Sequence, residues 1–212
     1  MGLSDNAWVK GLVAPWGFKA PGTEVTAGFD TRGALLVSQF SGQYAELCRQ
    51  GKVYYASAAA VTLPVNAATL ASKFTIYNPP QSNVNLELIE INIGTVVATT
   101  VVDMVGVYYS SAAQTAAGTF TTLGTVTNGL VNGPSGQGQF YSAYTASGTP
   151  TLARLMGGWG AVTNVGLNTV TKDFEGSLIV QPGLSIHVAM TTAAGTGNGI
   201  TLDAVWAEVP IS

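Results

Sequence analysis

The stretch GSLIVQPGLSIHVAMTTAAGTGNGITLDAVWAEVPI, residues 176–211, decides the fold class. Its first half alternates large apolar residues with small or polar ones, which is the period of a β-strand with one buried face. After a Gly- and Thr-rich turn the alternation returns and stops at Pro210, which cannot donate a ladder hydrogen bond. The pattern predicts a β-hairpin that closes an all-β domain, with Trp206 in the core.

Short β-patterned segments separated by turn residues extend upstream from this hairpin. They are residues 53–61, 73–77, 86–93, 95–109, 164–171 and 178–181. Helical spacing occurs only in two short stretches, residues 35–49 and 152–159. The glycine-rich residues 131–138 lack the strand and helix context of a phosphate-binding loop, so we expect an ordinary turn there. The sequence therefore predicts a jelly-roll-like antiparallel β-sandwich with at most one or two short helices.

The segment 86–93 is apolar on both of its predicted faces. Strict alternation places Ile89 and Ile91 on one side, and Leu86 and Leu88 on the other, so we expect both faces to be covered. The same alternation places Glu87 and Glu90 on opposite faces. This argues against a site shared by the two carboxylates.

The chain carries few charges, and they are unevenly distributed. Lys, Arg, Asp and Glu make up 9% of its 212 residues, against about 25% in an ordinary soluble domain. Surfaces poor in charge tend to associate, so we expect partners to cover much of this one. Residues 1–52 hold nine of the nineteen charged residues, which predicts an N-terminal segment over 1–52 and a β-sandwich body over 53–212.

Aromatic residues stand among helix and strand breakers near the N-terminus. They are Trp8, Trp16, Phe18 and Phe29. Large rings in irregular chain need a surface to pack on, so we interpret residues 1–34 as an extended arm that docks on a neighbouring molecule. The alternative is an arm folded back on its own body.

Several partners and compartments are disfavoured by the sequence. A net charge of −3 without a basic run argues against nucleic acid. The most apolar stretch, residues 96–109, is interrupted by Thr99, Thr100 and Asp103, which argues against a membrane helix. The single Cys48 forms no internal disulfide, and no cofactor or metal motif is present. The first residues lack a secretory pattern, so we expect synthesis in the cytoplasm.

A catalytic constellation is not evident. His187 is the only histidine, it has no positioned nucleophile, and we expect it to face solvent or another subunit. Asp103 lies in an apolar strand, where an ion pair or backbone amides would satisfy it. Asp173 and Glu175 are spaced to share a face, but the calcium-loop pattern is absent. We therefore expect no enzymatic activity and no bound cofactor.

Three phrases together resemble a known class of proteins. They are FTIYNPPQSNVNLELIEINIG (residues 74–94), SLIVQPGLSIHVAMTTAAG (177–195) and AVWAEVPI (204–211). A strand ending in Asn-Pro, a late Pro-Gly strand and a terminal Trp-x-Glu-x-Pro are similar to small virion structural proteins of tailed bacteriophages, above all to capsid decoration (cement) proteins. Pro80 and Gln81 depart from the small residues expected in that turn, and the arm has no counterpart.

The resemblance implies a non-enzymatic role on a virion. Such proteins bind the outside of an assembled capsid, often as trimers, and stabilise it. The implied partners are the major capsid protein and further copies of the chain, and the implied location is the capsid surface. We expect the arm to contact the capsid or a neighbour, and the neutral face of the closing hairpin to meet another subunit through Ser185, His187 and Thr191.

Three alternatives remain at this stage. The first is a phage tail or receptor-binding module that binds carbohydrate, with Trp159 or Tyr108 and Tyr109 stacking on sugar rings. A hydrolase is disfavoured by the lone histidine. A major capsid protein is disfavoured by the short chain, which lacks a long helical pattern.

Overall fold

The computed structural model describes residues 44–62, 71–72, 74–95, 103–110, 125–141, 144–145, 150–159, 169–191 and 199–211. The chain divides into two units, Met1–Gln43 and Tyr44–Ser212, and every described residue belongs to the second. The compositional boundary near Lys52 falls inside that second unit. The predicted arm lies outside the described residues, as does most of the predicted helix over 35–49.

The described chain is almost entirely β-structure. Its elements are α1 (Ala45–Arg49), β1 (Val53–Thr62), β2 (Ala71–Ser72), β3 (Thr75–Tyr77), β4 (Val84–Thr95), β5 (Asp103–Tyr109), β6 (Val126–Asn128), β7 (Gln139–Tyr141), β8 (Tyr144–Thr145), β9 (Thr151–Trp159), β10 (Thr169–Val180), β11 (Ser185–Met190) and β12 (Gly199–Pro210). The first sheet has the order β10-β4-β12-β1-β6, the second has β7-β3-β11-β5-β9, and β2 pairs with β8. The two five-stranded antiparallel sheets pack face to face, so the predicted β-sandwich is confirmed.

The two C-terminal strands do not form the predicted hairpin. β11 lies between β3 and β5 in the second sheet, whereas β12 lies between β4 and β1 in the first. Among the described strands of both sheets, no two that are consecutive in sequence pair with each other. Alternation indicates that a segment is a strand, but it carries no information about its partner. The pattern therefore predicts one hairpin where the structure has two central strands, each of which pairs with two other strands.

The core lies between the inner faces of the two sheets. Trp206 of β12 is fully buried and stacks with Tyr54 of β1 at 6.4 Å between ring centroids. From the second sheet, Phe74 packs edge-on against Phe140, with centroids 4.4 Å apart. Aliphatic side chains from both sheets complete this cluster. The expectation that Trp206 is a core residue is confirmed.

A β-bulge changes the predicted faces of β4. Val205 of β12 lies opposite Glu90, but the next residue, Trp206, lies opposite Leu88, so Ile89 is the extra residue. The inner face is consequently formed by Leu86, Leu88, Ile91 and Ile93. Glu87 and Glu90 both lie on the outer face, and the prediction that they occupy opposite faces is wrong. A strict two-residue period cannot anticipate a bulge.

Strand β9 and helix α1 also bear on the predictions made from the sequence. Residues 152–159, predicted as a helical turn, belong to strand β9 and pair with β5. Pairing overrides the local preference here, and two register shifts accommodate the mismatch. The short helix α1 lies on the outer face of the first sheet, where Leu47 and Cys48 pack on Val53, Ile89 and Ala207. The prediction that both faces of β4 are covered is therefore confirmed at Ile89, where α1 packs on the outer face.

Candidate assembly surfaces

The residues predicted to contact the capsid or a neighbour from the arm are Trp8, Trp16, Phe18 and Phe29. All four lie outside the described residues. Docking of the arm therefore remains a prediction, and the surfaces of the sandwich body are the ones that can be built from the structure.

Two of the three predicted interface residues on β11 are buried. Ser185 is 1% exposed and His187 is 2% exposed. Their strand lies at the centre of the second sheet, and all six of its residues are buried, on the outer face as well as the inner one. The expectation that Ser185 and His187 form an outward-facing surface is therefore wrong. A row of small or polar residues indicates an exposed face only where nothing covers that face.

His187 is held by hydroxyl groups. Its Nδ1 lies 2.9 Å from Thr75 Oγ1 on β3, and its Nε2 lies 3.1 Å from Ser185 Oγ. A neutral imidazole, with one donor and one acceptor nitrogen, satisfies both hydroxyls. Burial lowers the pKa of His187 to about 4, since the charged form would lose its hydration. The Ser185 hydroxyl is enclosed with it, so this pair stabilises the sheet and does not form an accessible nucleophile.

The third candidate, Thr191, lies beside an exposed apolar surface. A Cβ added at Gly106 of β5 would lie 2.6 Å from Leu152 Cδ1, 3.1 Å from Tyr108 Cε2 and 3.4 Å from Thr191 Cγ2, so these three side chains cover the Gly106 backbone. Leu155 lies opposite Gly106 on the same outer face. Leu152 is 43% exposed, Leu155 is 45% exposed and Met104 is 42% exposed. We call these three side chains the β9 patch.

A second apolar surface stands on the β6–β7 loop, residues 129–138. Leu130 is 41% exposed and Val131 is 86% exposed. We call these two side chains the apolar tip. Val131 therefore contributes little to the core of its own chain. Large apolar side chains held in solvent on an ordered loop are typical of contact surfaces.

Asn128 fixes the start of this loop. Its Nδ2 donates to Gly51 O and to Pro134 O, both at 2.8 Å, and its Oδ1 accepts from Leu130 N at 2.8 Å. A turn hydrogen bond of 2.7 Å from Gly133 N to Leu130 O closes the tip. The backbone on both sides of the apolar tip is thus tied to the sandwich.

A buried carboxylate fixes the end of the same loop. Glu208 of β12, 6% exposed, accepts hydrogen bonds from Gln137 N at 2.8 and 2.9 Å and from Gly138 N at 2.8 Å. Trp206 Nε1 donates to it at 3.4 Å. A Cβ at Gly138 would lie 2.9 Å from Trp206 Nε1, so the loop passes too close for a side chain. The Trp-x-Glu-x-Pro phrase is therefore a clamp that seats the loop.

Asn78 joins the other two phrases, residues 74–94 and 177–195, by hydrogen bonds. Its Nδ2 donates to Val84 O and Val180 O, each at 2.8 Å, and its main chain exchanges hydrogen bonds with Leu184 O at 3.0 Å and Gly183 N at 2.7 Å. The Asn-Pro turn and the Pro-Gly turn are thereby joined at one end of the sandwich. All three phrases that carry the resemblance are structural at these positions.

An open groove of about 490 Å³ crosses the outer face of the first sheet, and its accessible lining is mostly apolar. Paired residues of neighbouring strands bring Ser57, Asp203, Asn92 and Thr171 into one row. Ser57 Oγ donates to Asp203 Oδ1 at 2.7 Å, and Asn92 Nδ2 donates to Glu90 Oε1. The next row contains Gly94, whose missing side chain deepens the floor. Hydroxyl, amide and carboxylate groups in such a row suit a neutral polyhydroxyl ligand.

The remaining candidates do not assemble into a site. Burial raises the pKa of the Tyr44 hydroxyl, and the negative charges of Glu175, Asp173 and Glu87 raise this pKa further. Within the described ranges, no group of three His, Cys, Asp or Glu side chains is placed to hold a metal. The side chains of Asp103 and Trp159 are outside the described part. The free Cys48 belongs to α1 and is half-buried against the outer face of the first sheet.

Comparison of the chain with family models, curated proteins and solved structures finds no match. In the part of the chain that the structure describes, no helix is long and apolar enough to cross a membrane.

The sequence patterns did not indicate the apolar tip or the β9 patch. Val131 stands in a turn, where exposure is expected of any residue, and residues 152–159 were assigned to the wrong type of element. Recognition of 151–159 as an edge strand would have indicated the patch.

Proposed function

We propose that this chain is a non-enzymatic virion structural protein that binds the outside of a phage capsid and stabilises it as a trimer. The observation that carries the proposal is the exposure of large apolar side chains on the described surface. Eight of them are 40% exposed or more, and they are Met104, Tyr109, Leu130, Val131, Leu152, Leu155, Ile179 and Ile211. A monomer with so little charge would tend to associate through such surfaces.

The β-sandwich suits a protein that must resist separation of its neighbours. A standard stable interface buries about 800 Å² on each partner, and three linked copies multiply weak contacts through effective concentration. The loop clamp of Glu208 and the turn clamp of Asn78 both fix the end of the sandwich at which β12 finishes and β4 begins. A rigid body loses little entropy on binding. The resemblance of three phrases to decoration proteins supports the same function.

The test is electron cryo-microscopy of particles from the virus whose genome carries this chain. The expected result is density for the sandwich on the outer capsid surface, in groups of three. Sedimentation of purified protein with preformed capsids gives the matching binding measurement, and a chain lacking residues 1–34 tests the arm. Particles that contain no copy of the chain would contradict the proposal.

The row of polar side chains in the groove of the first sheet favours one second candidate, a receptor- or carbohydrate-binding module of a phage tail. Its hydroxyl and carboxylate groups could exchange hydrogen bonds with sugar hydroxyls. Of the aromatic residues predicted to stack on sugars, Tyr109 is 40% exposed whereas Tyr108 is buried. A glycan array distinguishes the candidates, because a module of this kind gives hits that disappear in Asp203→Ala, and a decoration protein gives none.

A further inference from the structure

We infer that copies of this chain associate head to tail, with the apolar tip of one copy (Leu130 and Val131) packing against the β9 patch of the next. The inference rests on the proposed function, which requires contacts between copies, and it names the two surfaces that make them. Both surfaces belong to the same unit of the chain, Tyr44–Ser212.

The two surfaces lie on opposite sides of the sandwich. β6 is an edge of the first sheet and β7 is an edge of the second, and the loop that carries the apolar tip joins them. The other two edges are β10 and β9, which are linked by a hydrogen bond of 3.2 Å from Arg154 Nη1 to Ser177 Oγ. The β9 patch therefore lies on the side away from the tip.

This placement decides the type of contact. A two-fold dimer uses one self-complementary surface twice, whereas a ring uses two different surfaces that meet head to tail. A single chain cannot bring its own tip and its own β9 patch together across the width of the sandwich. A second copy can satisfy both. A repeated rotation closes such contacts into a ring, and a trimer is the ring that the proposed function requires.

The tip has the properties of an inserting element. Val131 is 86% exposed. It makes few contacts within its own chain, so it loses few of them when it packs against a partner. The three hydrogen bonds of Asn128 and the carboxylate of Glu208 hold the loop in place before binding. Association then costs little ordering of the loop.

The β9 patch has the properties of a receiving surface. Leu152 and Thr191 close over Gly106, which has no side chain, and Leu152 and Leu155 remain 43% and 45% exposed on the edge strand. None of the side chains that form the tip and the patch carries a charge. Their contact would bury apolar area on both copies without desolvating an ion, which is the composition of an interface core.

The test is the mass in solution of single variants and of their mixture. Light scattering coupled to size exclusion is expected to give the wild type three times the chain mass of 21.7 kDa. Val131→Asp and Leu155→Asp should each give the mass of one chain. An equal mixture of the two variants should give the mass of two chains, because the first keeps an intact patch and the second keeps an intact tip.

The control is Ile179→Asp, which changes a 50% exposed side chain on the outer face of the first sheet. It should keep the three-chain mass. Circular dichroism and the urea midpoint verify that each variant is folded. If an Asp variant is unfolded, Val131→Ser and Leu155→Ser replace the pair, with an expected weakening of association of about tenfold each.

Failure of the inference is distinguishable from failure of the proposed function. A three-chain mass that survives Val131→Asp or Leu155→Asp overturns the head-to-tail contact, as does a mixture that stays at one-chain mass. The chain can still decorate capsids through other surfaces in that case. A wild type of one-chain mass at every concentration overturns the contact as well. Absence of the chain from virus particles instead overturns the proposed function, whatever the masses show.

Discussion

The burial of His187 predicts a specific loss of stability at low pH. Its pKa is about 4 in the folded chain, against 6.5 for the unperturbed group. A pKa lowered by folding means that the neutral form is favoured in the folded state. The associated stability is fully present above the unfolded pKa and is lost as the pH falls toward the folded pKa. The two ring nitrogens face the hydroxyls of Thr75 on β3 and Ser185 on β11, and burial is the cause of the lowered pKa.

The magnitude follows from the difference between the two pKa values. At about 1.36 kcal/mol for each pKa unit, the full loss is about 3 kcal/mol below about pH 4. Between about pH 7.5 and about pH 5, the unfolded imidazole gains a proton and most of the folded imidazole does not, so the free energy of unfolding falls by about 2 kcal/mol. For a domain whose total stability is about 5–15 kcal/mol, this is a large fraction.

Two measurements check this prediction. Because the chain has one histidine, NMR of its imidazole carbons gives a single titration, with an expected midpoint near pH 4 if the fold persists. Urea unfolding of wild type and His187→Gln across the same pH range isolates the contribution from that of the carboxylates. The variant should lose about 2 kcal/mol less than the wild type between about pH 7.5 and about pH 5. Equal pH dependence of the two proteins, or a midpoint near 6.5, would refute the reasoning.

Three further substitutions test the clamps by urea unfolding at neutral pH. Glu208→Gln should cost about 2 kcal/mol, because it weakens charge-assisted bonds to two buried amides, and Glu87→Gln on the outer face should cost less than about 0.5 kcal/mol. Gly138→Ala should cost about 1–3 kcal/mol, because its Cβ would lie 2.9 Å from Trp206 Nε1; an unchanged midpoint would show that the loop can shift. Asn78→Ala should cost about 1–3 kcal/mol, because Val180 O loses its donor from the amide and Val84 O is left with the longer bond of 3.2 Å from Ser82 Oγ, and a cost below about 0.5 kcal/mol would argue against its role in joining the two turns.

The sequence could predict the strands but not their partners. The alternation in residues 184–190 and 200–206 reports which segments are extended and apolar, because side chains of a strand alternate between faces. It cannot report that β11 pairs with β3 and β5 whereas β12 pairs with β4 and β1. Pairing is decided by distant segments of the chain, and in this fold the strands that follow each other pass repeatedly from one sheet to the other.

Pairing with distant segments also explains the two wrong predictions about which face of a strand is exposed. The bulge at Ile89 is set by the register of β4 against β12, and it moves Glu90 to the face of Glu87. The burial of His187 is set by the central place of β11 in its sheet. A local period assumes a regular strand with one open face. Both assumptions failed where tertiary pairing determined the geometry.

The clamps relate the sequence phrases to the proposed assembly. Glu208 and Asn78 were visible in the sequence only as members of phrases, and their roles became clear from the amides and carbonyls they bind. Because both residues fix one end of the sandwich, the phrases carry the fold and leave partner choice to other residues. Partner choice would then lie in residues outside the phrases, such as Val131 on the loop and Leu155 on β9. Substitution of the clamps should therefore lower stability and assembly together, whereas substitution of the apolar tip should lower assembly alone.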